Sequence, residues 1–424
     1  MSTFFIIYEP SYSKLSSREH IRIILGVLLF LINPFIATIS LVISLFFISR
    51  IRLSGYLSFV TIIIAFFFSI INMTKIPEND LLYHGQQYLL AGDFSYLIYL
   101  LYIGKEPIYY TFNYIIYSIS NGGIKVWIFS YSFISFYLFF KSINIFYRKN
   151  RANSYQIALA LVLAAFFPQL FSLSAHLIRQ FIAASLFIYF TVDKIFYKNN
   201  KWWLLIAGIF THTSILILFL LSYLPWLGDL KKHFSKNLLL IIALTSYQVI
   251  SSIMLSYLGG IIPFVTYILK RASKDTTFQL GEFSIMNYVM MVIMVGIVLF
   301  FLAHKSGMKN SWKKYSQKSY QKYRHFYSIM IYFSVFILMN INQSELSNRL
   351  FFYLFFFFPF TVPLLFKKKS TINKISSLTI ALFFIFYFLY RLPNGVWTYA
   401  PLQEIITNNL YDYFVAQDYI RLGL

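Results

Sequence analysis

Between two long apolar runs, Ser172 to Ala184 reads S-L-S-A-H-L-I-R-Q-F-I-A-A, with His176 and Arg179 three residues apart. On a helix that spacing puts both on one face, where an imidazole can move a proton and a planar guanidinium fork can grip a carboxylate or phosphate. An uncompensated charge in such surroundings costs from about 2.5 to over about 10 kcal/mol, so a partner or ligand must offset it. A snorkelling Arg at a membrane boundary, beside an ordinary His, is the structural alternative. Asp80, His84, Glu106, His212 and Arg349 are further charged or titratable residues set beside or within apolar runs.

The scaffold for these residues is read from composition. The chain is 59% hydrophobic and 21% aromatic with a mean hydropathy of +0.67, against roughly 45–50% apolar residues in soluble domains. This predicts an all-α polytopic membrane protein, one transmembrane domain over residues 1–424, with roughly 10–12 transmembrane helices including short or re-entrant half-helices. The 36 Lys plus Arg against 14 Asp plus Glu could suit nucleic acid, but in a membrane chain positive charge collects in cytoplasmic loops. No zinc-ribbon, RNP or P-loop pattern competes, and no nucleic acid is expected. The absence of Cys excludes disulfides, haem-thiolate, iron–sulfur and Cys-zinc centres. The polar N-terminal segment, residues 1–22, lacks the pattern of a cleaved signal peptide.

Charge then gives the topology. Ile23 to Ser49 is one apolar run containing Asn33-Pro34, either a long span or two half-helices broken at the proline. With Arg50 and Arg52 cytoplasmic, Tyr56 to Met73 delivers the acid-rich segment 75–106 to the outer side; inside that segment, Tyr88 to Ile103 lies at the interface. Ile108 to Ser120 is too short to cross, Ile124 to Tyr147 returns to the Arg148–Arg151 link, and Tyr155 to Leu173 carries His176 and Arg179 outward before Ile178 to Phe196 comes back. Trp202 to Leu224 has Thr211-His212-Thr213 at its middle and basic flanks at both ends. It is either a hairpin of two half-helices with His212 at its apex or a single span with a buried, hydrogen-bonded His. Asn237 to Leu258 crosses outward and Ser284 to Ala303 returns to a basic cytoplasmic loop, residues 304–325, with seven Lys plus Arg and no acid. Tyr327 to Asn342, Leu350 to Phe366 and Ile375 to Tyr390 complete the crossings, leaving Ser344 to Arg349 and the tail 391–424 outside. In this arrangement the outer segments hold ten of the fourteen acids and nine Lys plus Arg, a net charge of −1, so nearly all the positive excess is cytoplasmic.

Asp80, Tyr83, His84, Glu106, His176, Arg179 and Arg349 then share one side of the membrane, joined by His212 if the hairpin forms. Arginines with His and carboxylates, opening to a lipid-lined cavity, suit a lipid-linked phosphate or diphosphate: Arg179 and Arg349 would neutralise it, and a carboxylate or His would deprotonate an acceptor hydroxyl. A metal site on Asp80, His84, His176 and His212 is the competing reading, since D-x-x-x-H sets two ligands on one helical face. Pro77 and Gly85 argue against a helix there and no HExxH or DxD pattern occurs, so neither metal nor other cofactor is expected.

Six landmarks occur in order: Lys75 with Asp80 and Tyr83; Glu106-Pro107; Ile178-Arg179-Gln180 with Ala183; Phe210 before His212 and Ser214; Asn348-Arg349; and Tyr399 with Pro401. In these the chain resembles the EpsG family of bacterial polysaccharide polymerases, relatives of the Wzy-type O-antigen and capsule polymerases. It departs from the family pattern at Lys75, where Arg is usual, and at Asn79, where Gly is usual. The resemblance implies a GT-C-like membrane glycosyltransferase of the bacterial inner membrane. Such an enzyme would take a growing glycan from undecaprenyl diphosphate and join it to the next lipid-linked repeat unit at the periplasmic face, among membrane lipids and beside a chain-length regulator protein. The implied roles are catalysis for Asp80, His176, Glu106 and His212, diphosphate binding for Arg179 and Arg349, and substrate contact for Lys75, Tyr83, His84 and Gln180. Two other readings share these features. An O-antigen ligase uses the same donor but typically carries a large periplasmic domain; a flippase or transporter would spread charged residues through the membrane depth.

Overall fold

A computed structural model describes residues 17–48, 55–149, 152–228, 233–273, 284–307, 315–340, 344–366, 370–395 and 398–415. The polar N-terminal residues 1–16, the basic links at 50–52, 150–151, 231–232 and 367–369, and the acids Asp275 and Glu282 lie outside them. Every regular element among the described residues is helical, and the protein is an all-α polytopic membrane protein.

The N-terminal run is two short helices, α1 (Ser17–Ile32) and α2 (Pro34–Leu45). Asn33 between them is extended at φ −152°, and its side-chain carbonyl accepts the Ile36 N–H at 2.8 Å. Pro34 takes the first helical position, where its missing N–H costs nothing. A Cβ placed on Gly26 of α1 would lie 3.2 Å from Leu41 of α2, so the chain doubles back and the half-helix alternative holds. The central α3 (Gly55–Met73) is buried along most of its length and packs against α7 (Ile124–Lys149). Between them lie α4 (Asn79–Leu89), α5 (Phe94–Tyr102) and α6 (Pro107–Ser120), each too short to cross a bilayer. The expected weakness of the Asp80–His84 helix is corrected here: Pro77 precedes α4 rather than interrupting it, and Gly85 is tolerated within it.

Four helices among the described residues are long and apolar enough to span: α3, α7, α16 (Ile285–Gly307) and α20 (Thr371–Arg391). Three bent pairs bring this to seven. The pair α8 (Ser154–Ala165) and α9 (Pro168–His176) bends by 48°, α13 (Phe234–Thr245) and α14 (Tyr247–Leu258) by 71°, and α18 (Ser344–Phe355) with the helical run after it by 40°. Tyr155 to Leu173 and Asn237 to Leu258 are therefore not straight crossings. Next to α9, α10 (Ile178–Val192) continues for five residues as a π-turn segment. Three shorter helices follow in chain order around the site: α11 (Trp202–Thr211), α12 (Leu216–Ser222) and, after α14, α15 (Pro263–Ser273). Beyond them α17 (Tyr315–Met339) begins well before the expected Tyr327, so residues 304–325 are less a loop than two helix ends around the undescribed 308–314. The expected loop Ser344 to Arg349 is the opening of α18, and α19 (Phe358–Thr361) follows it. In the tail, α21 (Leu402–Thr407) and α22 (Leu410–Val415) pack on α2 and α1.

Phenylalanine rings form much of the packing. Phe68 meets Phe136, Phe166, Phe171 and Phe388 at centroid distances of 5.0–5.7 Å, the tilted and edge-on geometry that aromatic quadrupoles favour. That cluster joins α3, α7, α9 and α20.

Candidate active site

Three helix ends and the middle of a fourth helix converge on Glu106. It is the residue before α6 and its side chain does not cap that helix; the fully buried carboxylate turns instead toward Arg179 in the first turn of α10. Arg179 Nη1 donates to both carboxylate oxygens at 3.2 Å, and its guanidinium lies 5.5 Å from the Tyr109 ring centroid. One nitrogen serves both oxygens, so the other guanidinium N–H groups are not used by this pairing, and Arg179 lines neither of the two cavities described below. His212 Nδ1 stands 3.8 Å from Glu106 Oε1, and the Tyr267 hydroxyl on α15 donates to that oxygen at 3.4 Å. Burial alone would raise the Glu106 carboxyl; Arg179 and His212 overcome it and hold the group ionised, well below the usual carboxylate range.

His212 reaches this position because α11 and α12 are separate. The break falls on His212 itself, extended at φ −157°, and the Phe219 ring folds back to Gly208, where a Cβ would lie 2.7 Å from it. The hairpin alternative therefore describes residues 202–222. Its apex is held by a 2.6 Å hydrogen bond between the hydroxyls of Ser214 and buried Tyr353.

A second group forms around Arg349, one turn before Tyr353 on α18. Arg349 Nη2 is 4.0 Å from Asp80 Oδ2, both side chains about two-fifths exposed. Gln180, next to Arg179, donates through its side-chain amide to the Arg349 backbone carbonyl, so the two arginines are linked through adjacent residues. Two cavities meet at Arg349. One, of about 820 Å³, is lined by Asp80, His176, Gln169, Asn348, Arg391 and Tyr399 among others, over a floor of Phe side chains. The other, of about 570 Å³, runs between α12, α13, α14 and α15 and is mainly aliphatic, with His212, Ser214 and Arg349 among its polar lining.

The remaining candidates sit elsewhere. Lys75 is fully buried and donates to the Ser172 carbonyl at 3.2 Å, behind the wall of the larger cavity. Burial lowers its amine to about 7, against the raising influence of Glu78. His84 is buried against Tyr109 at 5.8 Å and lines neither cavity. Burial first, and then the Arg179 charge, push its imidazole down to about 2, so it is neutral at physiological pH. Tyr83 is half exposed and packs on His84 rather than facing either cavity. No group of three or more His, Asp and Glu that could hold a metal ion occurs among the described residues; Asp80 and His84 share a helix but turn to different neighbours. Sequence reasoning passed over Tyr267, Gln169 and Asn348 as site residues, and gave Arg391 only a place in the outer tail. One Tyr among 35 carries no signal by type.

A sequence profile of the EpsG family matches residues 85–402, about three-quarters of the chain. The chain belongs to the EpsG family. The family consists of membrane proteins of the Wzy-like polysaccharide polymerase type, which makes this EpsG protein a membrane protein of polysaccharide biosynthesis. The matched region contains Glu106, His176, Arg179, Gln180, His212 and Arg349, whereas Lys75, Asp80, Tyr83 and His84 fall just before it. No curated protein and no solved structure matches the chain.

Proposed function

We propose that this EpsG protein polymerises undecaprenyl-diphosphate-linked oligosaccharide repeat units by glycosyl transfer at the outer face of the bacterial inner membrane. The observation that carries the proposal is the position of Arg349, where an aliphatic groove meets a polar, aromatic-floored cavity. A polyprenyl diphosphate sugar has that same division: an apolar chain, a doubly charged junction and a hydroxylated glycan. Arg349 neutralises the diphosphate as the bond from its oxygen to the anomeric carbon breaks, and the Arg179 charge, held one residue from Gln180 and its bond to the Arg349 carbonyl, adds to the positive field there. The acceptor hydroxyl forms the new bond to that carbon and its proton passes to His176 or Asp80, which share the larger cavity. Glu106 holds Arg179 in place and is ionised throughout, so it acts as a positioning residue together with His212. Gln180 serves through the Arg349 backbone.

The test is a gel of surface polysaccharide from a strain lacking the protein. Wild type is expected to restore a ladder from a single repeat unit, and Arg179→Ala or Arg349→Ala at equal protein level to leave the single unit. A full-length ladder from both variants would overturn the assignment, and loss of even the single unit in the deletion strain would move the protein to flipping or ligation.

A further inference from the structure

Arg391 closes α20 and lines the 820 Å³ cavity with Arg349. Its side chain is partly buried, yet among the described residues it makes no hydrogen bond, ion pair or ring contact. Among the described residues Asp80 is the one carboxylate lining this cavity, and it faces Arg349. Lys75 lies just behind the wall at Ser172 and Tyr399, under the influence of the Glu78 charge. The described lining therefore carries one positive charge more than its carboxylate can balance, His176 apart. A guanidinium presents five donors in a fixed plane and remains charged at any physiological pH, so a partly buried one without a partner is matched to an anion from outside.

We infer that the polar cavity takes an acidic glycan, and that Arg391 binds an anionic substituent, a carboxylate or phosphate, on a sugar of the repeat unit. This rests on the polymerase reading and adds the charge class of its saccharide. The lipid diphosphate is the other source of the same chemistry. It is already served by Arg349 at the mouth of the aliphatic groove, which Arg391 does not line.

Three measurements on the full-length protein decide it. Repeat-unit glycan, released from its lipid by mild acid and stripped of terminal phosphate, is expected to be retained on an anion exchanger; a neutral glycan overturns the inference. In a polymerisation assay, Arg391→Ala is expected to raise KM for the lipid-linked repeat unit about tenfold or more, with the loss in KM rather than kcat and partial recovery in Arg391→Lys. An unchanged KM overturns it. Inhibition by inorganic pyrophosphate is expected to weaken in Arg349→Ala and persist in Arg391→Ala; weakening in Arg391→Ala would assign that residue to the diphosphate instead. A ladder from wild type with unchanged Arg391→Ala kinetics would end this inference alone, whereas no ladder from wild type would end the polymerase reading beneath it.

Discussion

Glu106 and Arg179 form a pair in which neither member can be removed singly without leaving a charge in apolar surroundings. Breaking such a buried pair costs about 3–5 kcal/mol, while replacing both partners by apolar groups is often tolerated. Glu106→Ala is therefore expected to lower thermal stability in detergent sharply, and the double variant Glu106→Leu/Arg179→Leu to recover most of it while still failing to extend glycan. Recovery of both stability and ladder would show that the pair serves folding alone. Lys75 gives a pH signature. Its amine titrates at about 7 in the fold against 10.5 for the unfolded residue, so between these values the unfolded chain holds a proton that the folded one lacks. Stability contributed by this residue consequently rises with pH across that window, by about 1.4 kcal/mol per unit, and is at its lowest and flat below pH 7. Lys75→Met is expected to lack that slope, so the difference in stability between wild type and variant, read from melting curves at a series of pH values, rises across the window.

At the scale of the helices, the site depends on breaks. Asn33, His212 and the bends within α8–α9 and α13–α14 each turn the chain where an uninterrupted span would pass. The Phe219 ring fits against Gly208 only because no Cβ is present there. Gly208→Val is expected to cost about 1–3 kcal/mol through overpacking and to abolish polymer extension as His212 shifts from Glu106. Gly208→Ala combined with Phe219→Leu should restore extension; failure to do so would mean that the hairpin does not set His212. The sequence made the residue types of this region legible, since charges between apolar runs are costly enough to be noticed: His176, Arg179 and Arg349 stand out for that reason. Asn33-Pro34 announced a possible break, and the balanced basic flanks of 202–224 a possible hairpin. Less visible were the bend at Ser246 and the helical start of α18, because neither contains a proline or glycine that would mark it. Tyr267 and Arg391 needed the fold, one to bring α15 against Glu106 and the other to show a guanidinium without a partner.

For the molecule as a whole, the proposed orientation is checked by labelling. The chain contains no Cys, so single replacements report cleanly. A membrane-impermeant maleimide is expected to label Asp93→Cys in spheroplasts and to reach Lys309→Cys only after permeabilisation; the reverse pattern would invert the proposed topology. The two ends of the chain are also fastened together. Asn33 donates to the Ile406 carbonyl at 2.8 Å, the Ile76 N–H donates to Thr398, and the Ala400 N–H to the Thr74 hydroxyl. The first of these contacts joins positions 373 residues apart, a separation that synthesis at about 5–20 residues per second takes roughly 20–75 s to cover. For that interval the N-terminal hairpin is in the membrane without its partner, and Tyr399 has yet to close the wall of the larger cavity. Completion of the larger cavity is thus timed by the ribosome, and a nascent chain passes most of its synthesis with that wall open.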